Sequence, residues 1–344
     1  LTNDPEQRPL FSTFDMSYTS LLFAGAAMYV SNYMVPKHGG FTESFFHEFV
    51  ITVVIASGVM TAIAVAGLWE HDRTENFGTG GVQEPIKLKD MFNIIKGNRP
   101  LQMLIVAAST DKLASTVSTN SIVMVMLFGI LIGDYGVFGS ISAITMIPVL
   151  ILIQIGTRYA RKFGSKKALV VSTWMCIALY AAMFLLLWLG DPSQIRMTDM
   201  NAMSIAFVTL YILATGVRSV SGGIVIPMIP DITDYELYKN DRYAPGVMGT
   251  IFSFVDKMIS SLGQTIIGIL LAYIGFKEVF PSVDTPPSEE IFWVTMFLFV
   301  GMMILGWVAS LIAMKFYELD DKRMAEIQME LADRRDAKKA AIEQ

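Results

Sequence analysis

Apolar residues in this chain form eight long runs that are separated by polar or charged connections. The runs cover residues 16–36, 49–69, 100–132, 137–157, 166–190, 203–229, 246–275 and 291–316. A helix that crosses a bilayer needs about 20 predominantly apolar residues, and every run reaches that length. The pattern therefore predicts an all-α polytopic membrane protein with eight transmembrane helices.

Basic residues mark one set of alternate connections between these runs. Of the 26 Lys and Arg residues, 20 lie on one set of connections or in the tail, and three lie inside the runs. The other set of connections holds only Lys37, Arg196 and Lys277. Because loops rich in Lys and Arg face the cytoplasm, we expect both ends of this chain on the cytoplasmic side.

Composition agrees with a membrane protein and argues against several kinds of chemistry. Hydrophobic residues make up 53% of the chain, and the single cysteine, Cys176, rules out an internal disulfide. His38, His47 and His71 are scattered over different connections, and no Cys/His cluster has the spacing of a metal site. We therefore expect no catalytic group, no metal, no cofactor and no nucleic-acid partner.

The connection 70–98 is the longest on the basic side. Its glycine-rich stretch at 78–81 lacks the Lys-Ser/Thr of a phosphate-binding loop, which indicates a linker. Apolar residues then recur at helical spacing among charges and predict a short amphipathic helix on the membrane surface. These residues are Leu88, Met91, Phe92 and Ile95.

The tail 317–344 is highly charged and has a helical pattern. Met324, Ile327 and Leu331 form a narrow apolar stripe among the charges. This composition favours a solvated cytoplasmic helix.

Five charged residues lie inside the apolar runs. They are Asp111 and Lys112 in the third run, Arg218 in the sixth, and Asp256 and Lys257 in the seventh. At about 1.5 Å per residue, each lies about 16–20 Å from its cytoplasmic helix end, near the bilayer midplane. Charge at that depth is costly and usually faces a cavity or a partner, and secondary transporters bind substrate and ion there. The alternative is that Asp111, Arg218 and Lys257 only tie helices together as buried ion pairs.

The sixth run is also interrupted by small residues and prolines. These are Ser219, Ser221, Gly222, Gly223, Pro227 and Pro230. A helix broken in the membrane persists only where its freed backbone groups meet protein or a water-filled cavity. The pattern favours a mobile or pathway-lining helix.

Two segments resemble a known transporter family. Residues 230–239 (PDITDYELYK), followed by Arg242, and residues 254–258 (FVDKM) resemble the end of the tenth helix, the cytoplasmic loop and the eleventh helix of the glycoside–pentoside–hexuronide:cation symporters. This family belongs to the major facilitator superfamily. Shorter matches lie at 1–4 (LTND), 98–101 (NRPL), 132–134 (IGD) and 316–319 (FYEL), so the resemblance spans essentially the whole chain.

The resemblance implies that the eight runs are helices 5–12 of a major facilitator fold. The chain would then start inside a longer protein, and the acids that bind the cation in this family would lie on the preceding helices. The implied units are the last two helices of the amino-terminal bundle, a cytoplasmic linker, the carboxy-terminal six-helix bundle and a tail helix. They cover residues 1–69, 70–98, 99–316 and 317–344.

The resemblance also assigns roles to single residues. Lys257 matches the eleventh-helix lysine that reaches toward the cation site. Asp231, Asp234 and Arg242, with the adjacent Tyr235, match a cytoplasmic gate. Asp111, Lys112, Arg218 and Asp256 are expected to line or brace the central cavity.

The sequence thus predicts a sugar or glycoside:cation symporter of the bacterial inner membrane, working by alternating access. We expect a sugar substrate, Na⁺ or H⁺ as coupling cation, and the lipid bilayer as surroundings. Two alternatives are a transport-inactive membrane scaffold or sensor and, with less support, a membrane-embedded enzyme.

Overall fold

The computed structural model describes residues 8–69, 94–240 and 245–342, and its regular structure within these ranges is entirely helical. In chain order the helices are α1 (Arg8–Tyr29, continued by a π-helical turn at Val30–Met34 and by Val35–His38), α2 (Glu43–Leu68), α3 (Arg99–Ser118), α4 (Ser121–Met124, continued by a π-helical turn at Val125–Leu131), α5 (Gly136–Phe163), α6 (Ser165–Leu189), α7 (Ala202–Asn240), α8 (Pro245–Tyr273), α9 (Glu289–Met296, a π-helical turn at Phe297–Gly301, and Met302–Lys315) and α10 (Asp321–Ile342). The predicted all-α class is confirmed.

Six helices among the described residues are long and apolar enough to cross a membrane. They are α2, α5, α6, α7, α8 and α9. The pair α3 and α4 passes the same test as one span bent by 51°, which gives up to seven. The protein is therefore a polytopic membrane protein as predicted, and the count of eight spans stays a prediction.

The third apolar run forms two helices and not one. The Ser118 hydroxyl at the end of α3 donates to the carbonyl oxygen of Phe299 in α9 at 2.9 Å. Two residues later the Asn120 side chain accepts from the backbone N–H of Ile122 at 2.9 Å and caps α4. A cap of this kind starts a new helix, so the bend has a local cause in the sequence.

The sixth run is a single helix of 39 residues, so its small residues and prolines do not interrupt it, and a mobile or pathway-lining role stays a prediction. Its hydroxyl side chains bond to the backbone within the helix, as Ser219 does to the carbonyl of Thr215 at 2.9 Å. Gly216 of α7 lies against Leu152 of α5, and Gly156 of α5 lies against Val220 of α7. Small residues therefore serve close packing of α5 on α7 rather than a break.

The helices α3 and α5–α9 pack into one bundle, and α1 packs on α5 and α7. The largest buried cluster surrounds Phe128, Phe207 and Trp307, and a second one near the tail surrounds Leu104, Met228 and Tyr317. By contrast, α2 buries none of its membrane-length window against the other described residues. Its apolar side chains are therefore available to lipid or to further protein.

The tail helix α10 packs on the end of α7, which corrects the expectation of a solvated helix. Ile327 and Leu331 are 1% and 3% exposed within the second cluster. The Arg334 guanidinium donates to the carbonyl of Tyr238 at 3.1 Å and lies 5.3 Å from the centre of its ring. The apolar stripe is thus a docking face. Of the predicted surface helix before α3, residues 94–97 are helical, and Leu88, Met91 and Phe92 lie outside the described residues.

Candidate functional site

Charged side chains from α3 and α8 meet at a cavity of 480 Å³ between α3, α7 and α8. Its lining includes Asp111, Lys112 and Asp256. The Lys112 ammonium lies 3.3 Å from the Asp256 carboxylate, and both side chains are partly exposed. Three of the five predicted intramembrane charges are therefore brought together, with one interhelical ion pair among them.

Asp111 has the least solvated carboxyl oxygen in this group. Its Oδ1 is buried and has no hydrogen-bond partner in the described structure, and the same is true of the indole nitrogen of the neighbouring Trp307. On its other side is Gly222 of α7, where a Cβ atom would lie 3.9 Å from the Asp111 Oδ2. The Asp111 carboxylate thus lies near the indole N–H of Trp307 and faces Gly222, where the absence of a side chain leaves room beside it.

Arg218 lines a second, smaller cavity of 220 Å³. Tyr180, Tyr211 and several Ser and Thr residues from α1, α3 and α5 also line it. No carboxylate of the described residues lies within 4.0 Å of Arg218, but its charge interacts with Asp111 at longer range. Both cavities include Ser115 of α3, so that Asp111 and Arg218 face adjoining spaces.

Lys257 lies one residue beyond Asp256 and is exposed on α8. Successive residues on a helix point about 100° apart, so Lys257 is turned away from the Lys112–Asp256 pair. It is not part of the lining of either cavity. The structure thus separates Lys257 from the other four charges and turns it toward the outside of the described bundle.

Three residues of the predicted cytoplasmic gate, Asp231, Asp234 and Tyr235, lie on the last turns of α7. Asp234 is 7% exposed and accepts from Gln328 Nε2 of α10 at 2.7 Å. The Lys239 ammonium lies 5.6 Å from the centre of the Tyr235 ring. Burial raises the pKa of the Tyr317 hydroxyl, and the negative charge of Asp231 raises that pKa further. Arg242 lies outside the described residues.

The sequence did not indicate a buried set of hydrogen bonds beside the gate residues, which we call the Glu236 link. Glu236 is 2% exposed and accepts from Asn98 Nδ2 at 2.9 Å and from Asn240 Nδ2 at 2.7 Å. Asn98 also caps α3 through the backbone N–H of Leu101 at 3.0 Å. Asn before Arg-Pro was a readable capping signal. Its partner lies 138 residues away, and no pattern in the sequence could indicate it.

Removing this link is expected to destabilise the fold. Glu236→Ala leaves the buried side-chain amide of Asn98 without an acceptor, which costs about 1–3 kcal/mol of unfolding free energy, whereas water can solvate the exposed amide of Asn240. Thermal unfolding in detergent measures the effect. Glu326→Gln, on the exposed face of α10, is the control and should leave the midpoint unchanged. Equal midpoints for Glu236→Ala and wild type would show that the link contributes nothing.

The family model and the relatives that match this chain all describe transport proteins. The family model described as MFS/sugar transport protein matches residues 1–321. The chain is 24% identical over 258 residues to the uncharacterized symporter YnaJ of Bacillus subtilis, covering 73% of this chain and 50% of that protein. It is 23% identical over 324 residues to the isoprimeverose transporter of Lactiplantibacillus pentosus, covering 93% of this chain and 62% of that protein. The chain thus spans about half to three fifths of the length of these relatives.

Proposed function

Because this chain belongs to the MFS/sugar transport protein family, we propose that the protein is a sugar or glycoside:cation symporter that works by alternating access. The family consists of transporters and not of enzymes, as the sequence predicted. Family membership and the symporter among the relatives agree with the resemblance to the glycoside–pentoside–hexuronide:cation symporters.

The observation that supports this proposal best is the pair of adjoining cavities inside the helix bundle. Charged residues from three helices converge there, and charge in the membrane is retained where it serves a pathway or a site. The cavity at Arg218 offers hydroxyl groups and aromatic rings, which are the side chains that recognise the hydroxyls and faces of a sugar ring. This lining supports the proposal that sugar binds at these cavities.

We assign the central charges two roles. Asp111, Lys112, Arg218 and Asp256 line or brace the cavities. Lys257 couples occupancy by substrate and cation, since it points away from the described bundle and an ammonium in the membrane needs acidic partners. Those partners are expected on the opposing helices of the transporter.

Uptake by the complete gene product in proteoliposomes tests the function. Radiolabelled sugars and glycosides, with isoprimeverose among them, are offered under an imposed Na⁺ or pH gradient. We expect accumulation of at least one sugar that requires one of the two gradients. Lack of uptake for every sugar, in protein that remains folded, would favour the alternative of a scaffold or sensor.

The orientation follows from the basic connections, and we propose a bacterial inner-membrane location with both ends of this chain in the cytoplasm. Ser→Cys variants at Ser44, Ser193 and Ser282 are expected to react with an impermeant thiol reagent added outside cells. Cysteines at Ser165 and Asn240 are expected to stay unlabelled until the membrane is permeabilised. The buried Cys176 gives little background. Labelling of position 165 from outside would overturn the orientation.

We propose that Asp231, Asp234 and Tyr235 at the end of α7, together with Arg242, which follows this helix in the sequence, form a cytoplasmic gate. Asp234→Asn weakens the charge-assisted bond to Gln328, and we expect more of the protein to be open toward the cytoplasm. Thiol accessibility of a cysteine introduced near the gate, measured from the cytoplasmic side, should rise severalfold. Asp333→Asn on the same tail helix is the control. Unchanged accessibility together with normal transport would contradict the gate.

A further inference from the structure

Lysine side chains surround an open cavity of 560 Å³ at the end of the bundle where the tail helix packs. Four lysines from three elements line it, together with two aspartates and three apolar residues. The lining residues are Lys162 and Phe163 of α5, Lys166, Lys167, Val170 and Val171 of α6, and Asp320, Asp321 and Lys322 at the start of α10. This lining shares no residue with the two cavities inside the bundle.

The lysines are held close together without an acid in contact with them. The Lys162 and Lys167 ammonium groups lie 5.2 Å and 5.1 Å from the centre of the same ring, that of Phe163. The Lys166 ammonium donates to the carbonyl oxygen of Tyr317. Among the described residues, no carboxylate lies within 4.0 Å of the side-chain nitrogen of any of the four lysines. Positive charges gathered in this way repel one another, so the cluster favours an anion.

The two aspartates of the cavity serve the local structure of α10. The Asp320 side chain accepts from the backbone N–H of Arg323 at 2.9 Å, which is the bond of a helix N-cap. The Asp321 carboxylate lies against Gly164, between α5 and α6, where a Cβ atom would overlap it. Four ammonium groups thus face two carboxylates, and neither of these pairs with a lysine at contact distance.

An apolar strip leads from the lysines along α6 into the membrane-spanning part of this helix. Lys167 is followed at helical spacing by Val171, Trp174 and Met175. These three side chains are 37%, 60% and 50% exposed, and α6 is long and apolar enough to cross a membrane. With a rise of about 1.5 Å per residue, Met175 lies about 12 Å beyond Lys167 along the helix. The cavity thus joins a basic end to an apolar surface at the depth of lipid acyl chains.

We propose that this cavity binds the headgroup of an anionic phospholipid, with the phosphate among the lysines and an acyl chain along the apolar strip of α6. A phosphate diester is negatively charged and accepts several hydrogen bonds, which suits ammonium donors from different helices. In the proposed orientation the cavity faces the cytoplasm, the side on which basic pockets between helices bind anionic headgroups. A soluble phosphate would gain nothing from the apolar strip. Such a site is independent of the proposed sugar transport.

A lipid bound here would join three elements of the chain. Its phosphate would contact the end of α5, the start of α6 and the start of α10, and it would relieve the repulsion among their lysines. A ligand that binds only the folded state raises stability by mass action. We therefore expect anionic lipid to strengthen the packing of α10 on the bundle.

The test measures lipid binding and stability of the complete gene product purified in detergent. Native mass spectrometry counts bound lipid after addition of phosphatidylglycerol or of phosphatidylethanolamine with identical acyl chains. Thermal unfolding is followed with each lipid, with inorganic phosphate and with glycerophosphoglycerol, which is the headgroup without acyl chains. For wild type we expect about fivefold more bound phosphatidylglycerol than phosphatidylethanolamine, and a raised unfolding midpoint with phosphatidylglycerol alone.

The double variant Lys162→Gln/Lys167→Gln removes the two ammonium groups at the Phe163 ring. We expect it to lose most of the bound phosphatidylglycerol and the rise in midpoint. Its lipid-free midpoint should equal or slightly exceed that of wild type, because repulsion between ammonium groups is removed. Lys162→Arg/Lys167→Arg keeps the charges and should keep both effects. Lys96→Gln/Lys315→Gln removes two exposed lysines at other helix ends and is the matched control.

Four results would overturn the site. One is equal retention of phosphatidylglycerol by Lys162→Gln/Lys167→Gln and wild type. Equal retention of both lipids by wild type would show a lipid-facing surface without preference for a headgroup. The same rise in midpoint with inorganic phosphate or glycerophosphoglycerol would assign the cavity to a soluble anion. A lower lipid-free midpoint for Lys162→Gln/Lys167→Gln would show that these lysines stabilise the fold by themselves.

Discussion

Replacing Lys257 by alanine is expected to abolish cation-stimulated sugar uptake in the complete gene product. An ammonium near the bilayer midplane is tolerated where acids neutralise it, and a lysine that changes partners as the ion arrives can couple ion to substrate. Lys257 is exposed on α8 and turned away from Asp256, so we expect its acidic partners beyond the described bundle. Loss of this residue should lower gradient-driven uptake at least tenfold, while the protein still inserts and folds.

The neighbouring residue supplies a matched comparison for this experiment. Asp256→Ala leaves Lys112 without its partner at 3.3 Å, but both side chains are partly exposed and water can solvate the ammonium. Exposed ion pairs contribute about 1 kcal/mol or less, so we expect a smaller loss of uptake. Equal losses from both variants, or unchanged uptake in Lys257→Ala, would remove Lys257 from the coupling role.

Replacing Gly306 by alanine is expected to disturb both stability and the site. A Cβ at Gly306 of α9 would lie 2.7 Å from the carbonyl oxygen of Thr110 and 2.8 Å from the Ala114 Cβ. The first of these atoms belongs to the backbone of α3, so the contact can be relieved only by moving the two helices apart. Overpacking of this kind costs about 1–3 kcal/mol. Because Thr110 precedes Asp111, the shift also displaces a charged residue that lines the 480 Å³ cavity.

Gly268 in α8 is the control for Gly306. No heavy atom of the described residues lies within 4 Å of a Cβ placed there. Gly268→Ala should be neutral or slightly stabilising, since alanine is favoured over glycine in a helix by about 1 kcal/mol. Unfolding midpoints in detergent and gradient-driven sugar accumulation should both fall for Gly306→Ala and not for Gly268→Ala. Similar midpoints for the two variants would contradict the close contact of α3 and α9.

Much of the fold could be predicted because it depends on local pattern. Runs of apolar residues determine where helices can span the membrane, and most of the predicted runs coincide with helices of the structure. Breaks were harder to predict. Pro227 and Pro230 suggested an interruption that α7 does not have, whereas Asn120 capped a new helix inside a run that looked continuous. Proline is accommodated where neighbouring groups bond the freed carbonyls, and these neighbours are set by tertiary packing.

The candidate site was predicted as a set of residues but not as a geometry. Charge inside the membrane identified Asp111, Lys112, Arg218 and Asp256 without structural knowledge. Their pairing could not be predicted, because it depends on how α3, α7 and α8 rotate toward each other. The same holds for Glu236, which appears as one of many acids near the end of a helix and is in fact buried against Asn98.

Among the described residues, π-helical turns occur at Val30–Met34, Val125–Leu131 and Phe297–Gly301, each in the half of its apolar run farther along the chain path from the end that packs near the tail helix. A π-turn holds one residue more than the α-helix needs, and its hydrogen bonds are less favourable than those of the flanking turns. We therefore expect amide hydrogens in these segments to exchange with deuterium faster than those one turn away, through local opening without global unfolding. The helices would then open locally more often at the end of the bundle away from the tail, and less often at the end against which α10 packs.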